Sequence, residues 1–344
     1  MNNKHKYLQW FSSQTKSIYW HDSAIREEQL AAFSNGAVGM TTNPFLIQST
    51  LNQDKKFWEE RLVQIPESLK GDEKVYALMR CVTGYYAEQV RPIFDKGVPG
   101  EGYVCAQTNP NKTGDADYMI EQAKILASWA PNIVVKMPAT NAGIKAYEEC
   151  AALGMNVAAT VSFTVPQVLA VGEAAARGKE RAKKNGIKPG LTIAVLMCGR
   201  LDDYLRDVAH DSGAAVSESD ITQAGIACLK KAYRIFNERG YDTYLMPAGC
   251  RGANQIIELA GAKMIFSIAP KIVKMLPSDT KCEERIDIPV AQDVIDRLMT
   301  MPEFRKAYLE DGMTRGEFIT FGSANRTTDQ FINDGWNPLV NFKF

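Results

Sequence analysis

A lysine stands inside an apolar run near the middle of the chain, Asn132-Ile133-Val134-Val135-Lys136-Met137-Pro138-Ala139-Thr140. Residues 133–137 have strand length and β-branched composition, with proline closing the run. An ammonium on a buried strand is costly unless it is paired or kept neutral. Desolvation lowers a lysine's pKa, and a neutral amine is a nucleophile that can condense with a ketone to a Schiff base. The plain alternative is a lysine that snorkels from a strand end or is held in a buried ion pair.

The elements around this lysine alternate. Short apolar runs at 17–20, 39–41, 103–106, 133–137, 158–162, 192–197, 243–247 and 264–268 are separated by longer amphipathic stretches. These include 117–129, 141–153, 166–184, 219–239 and 254–259. Asn141 with Gly143 opens one predicted helix and Gly154 closes it. The Ser-Glu-Ser-Asp cluster around Ser219 supplies capping candidates, and Gly240 ends that helix. Eight βα units predict an α/β chain, a (β/α)8 TIM barrel whose core takes about 250 residues. The excess falls in an N-terminal helical piece, a helical insertion at 52–96 and a C-terminal tail from about 285. The whole of 1–344 then forms one domain. A doubly wound open sheet is the structural rival, but no Gly-x-Gly-x-x-Gly follows a strand, so a dinucleotide site has no support.

Composition narrows the partners. At 45% apolar and 23% charged, the chain has material for an ordinary soluble core. Lysine plus arginine equals aspartate plus glutamate at 40 each, which leaves no global field for nucleic acid or an anionic membrane. The basic run 176–186 reads as a solvated helix end. The polar start carries no signal-like apolar stretch and no run is long enough to span a membrane, so a cytoplasmic location is expected. Seven cysteines without a Cys-x-x-Cys pair read as free thiols. Three dispersed histidines offer no metal-ligand spacing, and neither metal nor cofactor is expected.

In a barrel, functional groups collect at the carboxyl ends of the strands. Those positions hold Asp22, Asn43, Gln107, Lys136, Thr160 with Ser162, Arg200, Arg251 and Ser267. One nucleophile, one carboxylate, neutral hydrogen-bonding groups and two guanidiniums suit metal-free carbanion chemistry on a phosphorylated sugar.

Several segments resemble one family. Val134-Val135-Lys136-Met137-Pro138-Ala139-Thr140-Asn141-Ala142-Gly143 resembles the Schiff-base lysine motif of the transaldolase family. Gly39-Met40-Thr41-Thr42-Asn43-Pro44-Phe45 resembles its Thr-Thr-Asn-Pro signature. Gly154 to Thr160, Gly199-Arg200 and Ile268-Ala269-Pro270 follow in order, so the resemblance runs from about Ile18 to Lys274. It implies a (β/α)8 barrel acting on small-molecule sugar phosphates in the pentose phosphate part of carbohydrate metabolism.

The resemblance implies roles as well. Lys136 would form an iminium with the C2 carbonyl of a ketose, letting the C3–C4 bond break. Asp22 would be the general acid and base, or else a helix N-cap. Asn43 would bind donor hydroxyls, or shape the turn before Pro44. Thr41 and Ser162 fall among the substrate-binding positions. Arg200 and Arg251 would clamp the phosphate, unless Arg200 is paired with Asp202 or Asp203.

Three departures stand out. The family's strand-three glutamate, which orients water with a threonine matched here by Thr160, is Gln107, as in the fructose-6-phosphate aldolase branch. Met197 replaces an aromatic residue. Gly249 replaces a serine that precedes the basic residue, removing one donor and admitting an unusual anionic terminus. Transfer of a dihydroxyacetone unit is the leading expectation and lysis to free dihydroxyacetone the alternative; a non-catalytic sugar-phosphate binder is the third. The segment from Phe318 to Arg326 has two expected places, over the barrel mouth or in an interface of a homo-oligomer.

Overall fold

The computed structural model describes residues 4–343; Met1–Asn3 of the polar start lie outside them. Eight strands form a nearly closed parallel barrel: β1 (Ile18–His21), β2 (Gly39–Met40), β3 (Val104–Gln107), β4 (Ile133–Pro138), β5 (Val157–Thr160), β6 (Thr192–Leu196), β7 (Tyr244–Pro247) and β8 (Ile265–Ile268). Neighbours in sequence are neighbours in the sheet, and β8 pairs with β1. β7 and β8 lie side by side without a bridging pair among the described residues. All of β4 is buried, as befits a strand covered by packed side chains inside and helices outside. The open-sheet rival is therefore overturned.

Local conformation explains where the predicted strands end early. The fifth was expected through Ser162, but Val161 adopts φ 53°, which no strand accommodates. The sixth was expected through Met197, which instead takes the cap position of helix Cys198–Ser212. Helix Asn141–Ala152 is capped by Thr140, whose hydroxyl accepts from the Gly143 amide at 3.0 Å, so Asn141 is its first residue and not its cap. Ser217 and Asp220 form a reciprocal capping box on helix Glu218–Glu238.

The three additions pack onto one contiguous apolar core. Phe11 of helix Lys6–Gln14 meets Phe266 of β8 edge-on at 4.8 Å. The insertion folds as helices Lys55–Leu62 and Gly71–Phe94, with buried Trp58 among Phe57, Tyr85 and Tyr86. The tail goes to the mouth. Phe321 stacks on Phe163 beyond β5, and the Ser323 hydroxyl donates to the Arg200 carbonyl beyond β6. Further on, Gly335 lies so close to Pro44 and Phe45 beyond β2 that a Cβ there would come within 2.7 Å of the Phe45 nitrogen. β2 and β6 are on opposite sides of an eight-strand ring, so helix Gly322–Phe331 and the π-turn Ile332–Trp336 cross the opening.

Candidate active site

Lys136 is only 7% exposed. Its register partners are Gln107 on β3 and Ala158 on β5. Residues level with one another in a parallel sheet project to the same face, so Gln107 shares the lysine's side of the barrel wall. The Lys136 Nζ donates to the Thr42 carbonyl at 3.4 Å, the outer edge of hydrogen-bond range. No carboxylate pairs with it among the described residues. Neither bland alternative, exposure at a strand end or a buried ion pair, describes this amine. The Gln107 Oε1 is buried on that side with no partner among the described residues.

Asp22 follows β1 and accepts a hydrogen bond from the Thr41 hydroxyl at 2.7 Å. The Thr41 oxygen lies 2.7 Å from the Ser267 hydroxyl. Thr41 has one proton to give and spends it on the carboxylate, so Ser267 donates to Thr41. This Ser267–Thr41–Asp22 relay orients the acid. The helix after Asp22 begins at Arg26 with Ile25 at the cap position, so Asp22 is not its cap. Asn43 does take up its structural alternative. Its Oδ1 accepts from the Leu46 amide at 3.0 Å and caps helix Pro44–Gln53, worth about 1 kcal/mol. Its Nδ2 has no partner among the described residues.

Thr160 closes β5 with its hydroxyl unpartnered among the described residues. Ser162, two residues on, is fully buried and donates to the Val195 carbonyl. It ties the turn after β5 to β6. Between them Val161 sits in the left-handed region, held by Gln167, whose amide donates to the Val161 and Ala139 carbonyls at 3.4 and 3.3 Å. A β-branched residue there carries strain of about 1–3 kcal/mol, which persists only where surrounding structure over-determines it.

The other half of the mouth is built on β6 and β7. Their following loops interlock: a Cβ on Gly199 would lie 2.4 Å from the Gly249 carbonyl and 2.7 Å from the Arg251 nitrogen. Gly249 has φ +59°, so glycine there answers a backbone need. A Cβ on it would touch Met197 and Arg200, which shows that Met197, Arg200 and Arg251 share one corner. The Arg200 Nε is buried without a partner among the described residues, and its guanidinium carbon lies 5.8 Å from the Phe331 ring centre. Burial, then the neighbouring Arg251 charge, pulls its pKa below the usual arginine value.

The ion pair with Asp203 that is the alternative reading for Arg200 belongs to Arg251. The Arg251 Nε donates to Asp203 at 2.6 Å, and a terminal nitrogen donates to the Gly249 carbonyl at 2.9 Å. Its main-chain nitrogen donates to Gln255 Oε1 at 2.6 Å, and the Gln255 amide donates to Asp202 at 2.6 Å. Asp202 is buried, and desolvation pushes its carboxyl up to about 7. The structure thus gathers Lys136, Asp22, Thr41, Asn43, Gln107 and Thr160 on one side and Met197, Arg200 and Arg251 on the other. Sequence reading placed Ser267 at a strand end without a role. It missed Gln255 and Phe331, and it saw Asp203 only as a partner for the wrong arginine. Among the described residues no group of three or more His, Cys, Asp or Glu side chains could hold a metal ion, and no helix is long and apolar enough to cross a membrane.

The pattern that defines the transaldolase/fructose-6-phosphate aldolase family matches residues 19–318. The chain belongs to that family. It is therefore an enzyme. Among curated relatives, Transaldolase 1 of Streptomyces avermitilis is 28% identical over 71% of this chain and 68% of its own length. Transaldolase 1 of Streptomyces coelicolor is 25% identical over 94% and 84%. The transaldolase of Thiobacillus denitrificans is 26% identical over 67% and 66%. In this family member the Lys136 segment, the Thr-Thr-Asn-Pro turn and both arginines lie at the same end of the barrel.

Proposed function

We propose that the enzyme transfers a dihydroxyacetone unit from an anionic ketose, the ketose phosphates being the class its family suggests, to an aldose through a Schiff base on Lys136. The observation that carries this reading is the buried Lys136 amine, paired with no carboxylate among the described residues and level with Gln107. The amine adds to the C2 carbonyl and water leaves, giving an iminium that withdraws electrons from C3. Asp22, oriented by Thr41, takes the C4 hydroxyl proton as the C3–C4 bond breaks and the aldehyde departs. The enamine left on Lys136 attacks the acceptor aldehyde, Asp22 returns the proton, and water then frees the new ketose. Gln107 and Thr160, each with a hydrogen-bonding atom unengaged, orient that water. Arg200 and Arg251 bind the anionic end of the donor, and the chain works in the cytoplasm.

Reduction with borohydride in the presence of fructose 6-phosphate tests the reading. A reduced adduct mapped by mass spectrometry to Lys136 is expected, and an unmodified Lys136 would remove the proposal. Gln107 favours a second reading, because an amide positions water but accepts no proton. In that reading the enamine is protonated and hydrolysed, and the enzyme is a lyase. Incubation with fructose 6-phosphate alone separates the two: dihydroxyacetone release as fast as turnover with an acceptor would make the enzyme an aldolase.

A further inference from the structure

The corner that receives the donor's anionic end is less positive than two arginines suggest. Asp203 Oδ2 accepts from the Arg251 Nε at 2.6 Å, and Asp203 Oδ1 accepts from Arg206 at 2.9 Å. Arg206 in turn holds Glu218 through two nitrogens, each at 2.8 Å. The charges of Arg251, Arg206, Asp203 and Glu218 cancel as a set. Arg200 stands outside this set: its guanidinium makes no hydrogen bond to any described residue and its Nε is buried. The hydroxyl that a serine would bring to position 249 is also missing, and φ +59° ties that position to glycine. A phosphate monoester carries nearly two charges near neutrality and three acceptor oxygens. Here it would meet one uncompensated cation and the Asp203 carboxylate, with like charge disfavouring its second negative charge.

We propose that Asp203 sets the charge of the donor, and that the site takes a ketose ending in a singly charged oxyanion, a carboxylate or a sulfonate, in preference to a phosphate. This rests on the Schiff-base reading above. Asp203 acts by occupying Arg251, so that Arg200 alone supplies the net charge the ligand must match. Arg251 keeps its place through Gln255 and contributes the nitrogen not engaged by Asp203 or Gly249.

The test is the retro-aldol half-reaction under single-turnover conditions, followed by the aldehyde released from three donors. They are fructose 6-phosphate and its analogues with a carboxylate or a sulfonate at the C6 end. The wild-type enzyme should half-saturate with one of the monoanionic donors at a concentration lower by about tenfold or more. The carboxylate and sulfonate arms identify which oxyanion is meant. Asp203→Asn should free Arg251 and erase or reverse the order. A wild-type preference for the phosphate overturns the inference whatever the variant does, as does an order unchanged in a folded Asp203→Asn. Uncharged dihydroxyacetone provides the control, because borohydride should trap it on Lys136 without the arginine corner. If trapping succeeds while the donor order contradicts expectation, the monoanion preference and the role of Asp203 fall together and the Schiff-base reading stands. If trapping fails, the Schiff-base reading falls first.

Discussion

The two halves of the barrel mouth handle charge in opposite ways. On the β1–β5 side the Lys136 amine has, among the described residues, only a distant carbonyl as partner, and the Asp22 carboxylate accepts from the Thr41 hydroxyl, itself paired with Ser267. On the β6–β7 side Arg251 is clamped by Asp203, Arg206 and Glu218 extend the network, and Gln255 fixes the main chain. The difference fits the tasks proposed for the two halves. An amine that must lose its proton and form a bond is obstructed by a permanent counter-ion, since opposite charge favours the protonated form. A guanidinium that only binds gains from being held in one geometry.

The sharpest break of this contrast is Lys136→Ala, expected to lower turnover by about three orders of magnitude or more while donor binding through the arginines persists. Retained turnover would show that the unpaired amine is incidental. Thr41→Val removes the hydroxyl that orients Asp22 and should cost roughly tenfold in kcat with little change in KM. A change confined to KM would place Thr41 on the substrate instead. Arg251→Ala, on the other half, should raise KM for charged donors by about tenfold and spare kcat; an effect on kcat alone would contradict a binding role. Gln107→Glu should shift the ratio of transfer to lysis, measured as new ketose against free dihydroxyacetone, and an unchanged ratio would relieve Gln107 of water handling.

Stability against pH sharpens the same comparison. His21, on β1 with both ring nitrogens unpartnered among the described residues, has its pKa lowered to about 4 by burial. The unfolded chain takes up a proton near pH 6.5 that the folded one refuses. Stability contributed here is full above that pH and drains as pH falls toward 4, on the order of 3 kcal/mol. Asp202 behaves in the reverse sense. Its raised carboxyl favours the folded state in acid, and that advantage is lost as pH rises from the ordinary aspartate range to about 7. Denaturant titrations should find the acid loss removed in His21→Leu and the loss toward neutrality removed in Asp202→Asn. Superimposable stability profiles for wild type and variants would show that neither buried group titrates as described.

Eight apolar runs divided by amphipathic stretches specify a barrel because strand and helix periods are written in consecutive residues. The same locality made Lys136 conspicuous, as a charge in a β-branched run, and placed Asp22, Gln107, Thr160, Arg200 and Arg251 at strand ends. What escaped was whatever depends on side chains from distant elements meeting. No local pattern indicates that Val161 takes a left-handed turn, that the Ser162 hydroxyl is spent on the Val195 carbonyl, or that Asp203 reaches Arg251 and not Arg200. Nor does it indicate that Phe331 arrives over Arg200 from more than a hundred residues away. Periodicity and residue type are carried by the chain itself; pairing, burial and net local charge exist only after the loops of β6 and β7 interlock and the tail crosses the mouth.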